Sequence, residues 1–144
     1  MCRDTAVCGP VPNGLLMKLA VNTFLITQVT GLAESFQFAA RHGLDLEQFV
    51  GVLSAGPMAS TTMRVKAPMM LADEFPAQAS IRDVWMNTRL ITDAATEAGI
   101  ASPLMDVCRA LFSETSGLGW RAPTWPRCSR PSRPAAASRS PACC

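Results

Sequence analysis

None of the six cysteines belongs to a C-x-x-C pair: Cys2, Cys8, Cys128, Cys143 and Cys144 lie near the termini and Cys108 stands alone. That spacing offers neither a zinc site nor a disulfide scaffold, so no metal site is expected. The opening "MCRDTAVCGP" lacks a hydrophobic signal core. The apolar run after Gly14 is broken by Lys18 and Asn22 too early for a membrane span. A cytoplasmic chain without membrane contact is therefore expected. A basic stripe with interleaved aromatics is also missing outside residues 120 to 144, which hold five arginines and no acid. The formal charge of +2 thus conceals a body, residues 1 to 119, with eight basic against eleven acidic groups. An acidic body argues against nucleic acid as a partner.

No strand-like alternation survives counting, and what is there is helical punctuation. The pattern predicts a first helix from Asn13 to about His42, with Leu15, Leu19, Val29, Leu32, Phe36 and Ala39 on one face and Gly43 as a left-handed cap. Asp45, with Gln48 three positions on, opens a short second helix that Gly56 and Pro57 stop. A third stretch, Ser60 to Leu71, contains Pro68, where a kink or break is expected. "SIRDVWMNTRLITDAATEAG" reads as a long amphipathic helix closed by Gly99, and "SPLMDVCRALFSETSG" as a last helix with Ser102 as its cap. The fold class is therefore all-α, a helical bundle whose long first helix is the spine. The methionines Met17, Met58, Met63, Met69, Met70 and Met105 read as gap-fillers of its core. Trp85 reads as core or interface, and His42, the single histidine, as a structural residue at a helix C-terminus.

One placement breaks the pattern. Lys18 sits about one turn into an apolar helix, where the dipole disfavours a cation and burial would make the ammonium costlier still. Lys18 and Asn22, at i and i+4, share a face. By themselves they could be a snorkelling lysine and a surface asparagine. A lysine of lowered pKa could equally take the hydroxyl proton when an alcohol is oxidised by hydride transfer.

The spacing Gly9, Gly14, Lys18, Asn22 resembles the signature G-x-x-G-x-G-x-x-x-K-x-x-x-N of the β-hydroxyacid dehydrogenases, with Pro12 where the middle glycine belongs. "GLAESFQFAARHGLD", "VLSAGPMAS" and "AATEAGIASPL" continue the likeness, which covers residues 9 to 119. The resemblance implies the C-terminal helical domain of 3-hydroxyisobutyrate and 6-phosphogluconate dehydrogenase-like enzymes. It makes Lys18 the catalytic acid/base and Asn22 a substrate-binding residue. Met86 and Asn87 fall where the family has a Lys-Asp pair whose lysine lies near cofactor or substrate. Arg82 and Asp83 offer a similar pair one turn earlier, either as a substitute at the cofactor or as a solvated ion pair.

The family's G-x-G-x-x-G nucleotide-binding segment and its substrate loop D-x-P-V-S-G-G are both absent. The chain is therefore expected to divide into residues 1–12, a remnant of the interdomain segment, residues 13–119, the helical domain, and residues 120–144, a tail. In the complete enzyme the cofactor is NAD or NADP and the substrate a small hydroxyacid; neither nucleotide is expected to bind this chain tightly. A separately encoded Rossmann domain and a second copy of the chain are the expected partners, the alternative being a helical dimerisation module without chemistry. The tail, rich in Pro, Arg and Ser, is expected to be disordered. Written in GC-rich codons and read from the third base, "RAPTWPRCSRPSRP" becomes G-A-D-M-A-A-V-L-E-A-V-E-A, which resembles a family ending, so a shifted reading frame is expected.

Overall fold

The structure, a computed structural model, describes residues 6–74 and 79–117. Five helices follow one another: α1 (Asn13–Arg41), α2 (Leu46–Ala55), α3 (Thr61–Ala72), α4 (Ile81–Glu97) and α5 (Pro103–Gly117). The described residues contain no strand. The tail beyond Gly117 lies outside the described residues, as does the expectation placed on it.

The 29 residues of α1 make it the spine. It touches each of the other four helices, while α4 and α5 pack most extensively on each other. Its buried stripe runs through Leu19, Ile26, Val29, Ala33, Phe36 and Ala39. Leu15, expected on that face, is instead 55% exposed. The buried stripe begins only at Leu19. By length and apolar composition α1 could also cross a membrane. Its stripe nevertheless joins a core shared with α3, α4 and α5.

Local chemistry sets the ends. Beyond α1, Gly43 takes φ 69°, a left-handed geometry that suits glycine, and Leu44 N–H returns to the Ala39 carbonyl at 3.0 Å. Asp45 caps α2 by accepting from Glu47 and Gln48 N–H at 2.8 and 3.1 Å. Phe49 of α2 meets Phe36 of α1 edge to face, with ring centroids 5.2 Å apart. Ser60 caps α3 through Met63 N–H.

The break expected at Pro68 does not occur: α3 runs unbroken to Ala72. Pro68 lies on the exposed side of the helix, while Met63, Ala67 and Met70 hold the opposite side in the core. Two of the expected gap-fillers are outside the core, since Met17 is 54% and Met58 66% exposed. Met63, Met70 and Met105 fill it as expected. In α4, Ser80 and Asp83 form a reciprocal capping box, and Gly99 with φ 66° follows its last turn. Buried Thr88 and Thr92 satisfy their hydroxyls on the carbonyls of Trp85 and Arg89, three residues back.

Candidate functional site

Lys18 is exposed on the first half of α1, and Asn22, one turn later, is half-buried. The i, i+4 spacing puts both on one stripe of the helix. Asn22 lies against α4, where its Nδ2 donates to Asn87 Oδ1 at 3.1 Å. Asn87 in turn donates from Nδ2 to the Asp83 carbonyl at 2.7 Å, one turn back along α4. The two asparagines are 65 residues apart in the chain, and their pairing links the start of the spine to the start of α4.

The positions around Asn87 sort themselves by the helical period. Asp83 shares the stripe of Asn87, four residues earlier, but its carboxylate is engaged locally. Its Oδ2 accepts from Ser80 Oγ at 2.6 Å and from Ser80 N–H at 3.3 Å. Those hydrogen bonds, with a smaller contribution from the Arg82 charge, hold its carboxyl below the usual range. Asp83 is thus a helix cap. Arg82 and Met86 occupy the adjoining stripe, both exposed, with Met86 at 43%. The thioether of Met86 supplies no charge there.

Two polar residues have roles that sequence reasoning left out. Asn87 is one: the sequence marks it only as a departure from a pattern, and nothing local betrays a partner on α1. Lys66 is the other, only 7% exposed on α3, where burial pushes its ammonium pKa down. Its spacing with Met63, Ala67 and Met70, the buried stripe of α3, was the available signal.

The described residues do not include a strand–glycine–helix turn. A pyrophosphate is usually held where a strand turns through glycines into a helix N-terminus, and no described residue belongs to a strand. Nor do three or more of His, Cys, Asp and Glu gather as metal ligands among the described residues. What the arrangement supplies is an exposed amine beside a carboxamide held in place from behind.

On another face of α1, Leu16, Ala20 and Phe24 line an apolar groove with Ile100, Pro103 and Leu104 from the α4–α5 connection and the first turn of α5. The groove has a volume of about 750 Å³, and no charged side chain lines it.

Residues 13–121 match the family model described as the NAD-binding domain of NADP-dependent 3-hydroxyisobutyrate dehydrogenase. The chain is 24% identical over 111 residues to glyoxylate/succinic semialdehyde reductase 1 of Arabidopsis thaliana, covering 77% of this chain and 38% of the relative. It is 22% identical over 120 residues to the cytokine-like nuclear factor N-PAC of Drosophila melanogaster, covering 83% of this chain and 20% of that protein. The fold is similar to that of a 3-hydroxyisobutyrate dehydrogenase from Salmonella typhimurium, with a TM-score of 0.70 and 18% identity over 75% of this chain and 38% of the other. The chain therefore spans between a fifth and about two-fifths of the length of these relatives.

Proposed function

We propose, because this chain belongs to the family of NAD-binding domains of NADP-dependent 3-hydroxyisobutyrate dehydrogenases, that it supplies the helical substrate half of an NAD(P)-dependent hydroxyacid oxidoreductase. The observation that carries this reading is the pairing of Asn22 with Asn87 one turn beyond the exposed Lys18. A nicotinamide bound in the complete enzyme would supply the hydride chemistry. In this chain Lys18 Nζ exchanges the proton of the substrate hydroxyl, and Asn22 holds the substrate beside it. Arg82 and Met86 border the same stretch of α4, with Arg82 as the cation available to a cofactor phosphate.

In this reading the nucleotide-binding half is supplied from outside residues 13–121. Alone, the chain binds NAD or NADP weakly and turns nothing over. The reading is tested by fusing the nucleotide-binding portion of the Salmonella relative ahead of Asn13 and assaying NAD(P)-dependent oxidation of 3-hydroxyisobutyrate. Activity in the fusion that Lys18→Ala abolishes supports it; a folded, cofactor-binding fusion without activity overturns it.

The uncharged groove favours a second property, association of two copies of the chain. A monomer would leave Leu16, Phe24, Ile100 and Leu104 in water, between 48% and 70% exposed. A second copy offers the same uncharged surface through a two-fold axis. This dimer stands with or without chemistry at Lys18. Residues 120–144 take no part in either property in this reading. A frame shift near Trp120 belongs to this reading. Resequencing the gene tests that point.

A further inference from the structure

We propose that Asn87 is the positioning residue of the site, fixing the carboxamide of Asn22 with its N–H toward α4 and its oxygen turned away from α4. The inference rests on the reading of Asn22 as a substrate contact. A carboxamide has two ends of nearly equal size and opposite hydrogen-bonding character, so its usefulness depends on which end faces the substrate. Nothing in Asn22 itself chooses. Asn87 chooses for it, because Asn87 is itself fixed. Its Nδ2 lies 2.7 Å from the Asp83 carbonyl, which can only accept. Flipping Asn87 would set oxygen against oxygen there. Its Oδ1 is therefore committed to Asn22, 3.1 Å away, and only the N–H end of Asn22 can meet it.

The consequence is a specific surface. Asn22 Oδ1 points away from Asn87, on the stripe of Lys18, and offers an acceptor. A group that meets this oxygen must donate a hydrogen bond, while the second N–H of Asn22 can still donate to an acceptor of the substrate. The Asp83 carboxylate cannot take over the task, since Ser80 occupies it. An aspartate at 87 would still accept from Asn22, but it could not donate to the Asp83 carbonyl and would add a negative charge near Lys18. The amide orients Asn22 without introducing charge, so the orientation does not titrate.

The test uses the full chain labelled with ¹⁵N, with the Asn22 side-chain amide pair identified by its loss in Asn22→Asp. In Asn87→Ala the Asn22 amide protons should move to the position of a free carboxamide and exchange with solvent roughly threefold to tenfold faster, the scale of one net hydrogen bond. In Asn87→Asp they should keep their position and protection, because the acceptor remains. An Asn22 pair unchanged in Asn87→Ala overturns the proposal. So does loss of protection in an Asn87→Asp chain whose backbone spectrum is otherwise native, and this second variant decides the matter if Asn87→Ala does not fold. Adding sodium 3-hydroxyisobutyrate separates the two readings. Shifts at both Asn22 and Lys18 support both; a locked Asn22 that the salt leaves unmoved overturns the substrate contact, while the lock itself stands.

Discussion

Cys108 of α5 donates its thiol across the core to Thr30 of α1, with Sγ 3.7 Å from Oγ1, linking positions 78 residues apart. The thiol is 3% exposed, and burial raises its pKa. At neutral pH, iodoacetamide should label the accessible Cys8 and spare Cys108 in the native chain, and label both in denaturant, as read by peptide mass mapping. The raised pKa fixes a sign as well. Stability contributed by the protonated thiol is fully present below the unfolded pKa, about 8.5, and is lost as pH rises through the folded value. The stability difference between the native chain and Cys108→Ala should therefore shrink above about pH 9.

The capping box gives an acid-side prediction. Hydrogen bonds from Ser80 hold the Asp83 carboxyl pKa below its ordinary value. The stability this brings is present above the unfolded pKa, about 3.9, and is lost as pH falls through the folded one. Ser80→Ala should lower the thermal midpoint at pH 7, and the deficit should narrow below about pH 4. A deficit independent of pH would show that Asp83 takes no part.

Phe112 is 1% exposed and among the largest fully buried side chains of the core. Phe112→Ala should cost about 3–5 kcal/mol, the range for removing a buried ring. Denaturant titration followed by circular dichroism measures it.

If two copies join through the α1 groove, Phe24→Glu or Leu104→Glu places a carboxylate in an uncharged interface. Either change should convert a dimer to a monomer in analytical ultracentrifugation without loss of helix, since both side chains are exposed in the single chain, at 69% and 70%. A native chain that sediments as a monomer at high concentration removes the dimer.

With the nucleotide-binding half restored, Lys18→Ala should slow turnover by roughly a hundredfold or more, the scale of a lost general acid/base. The rate should fall while the affinity for NAD or NADP holds, because the proposed role of Lys18 is at the substrate hydroxyl. A near-normal rate would make Lys18 a surface residue.

The sequence determined by itself that the chain is helical and where the helices begin and end. Those limits are set by local chemistry: the carboxylate of Asp45, the hydroxyls of Ser60 and Ser80, and the left-handed geometry of Gly43 and Gly99 act within a few residues. It also displayed the i, i+4 pair of Lys18 and Asn22, since that relation lies within one helix. Tertiary structure decided what each helix faces. It left Leu15 and Met17 more than half exposed and kept α3 continuous through Pro68. It spent the Asp83 carboxylate on Ser80 and brought Asn87 to Asn22. Periodicity orders residues along one helix, whereas the meeting of α1 and α4 depends on how whole apolar faces pack, and only the folded chain fixes that.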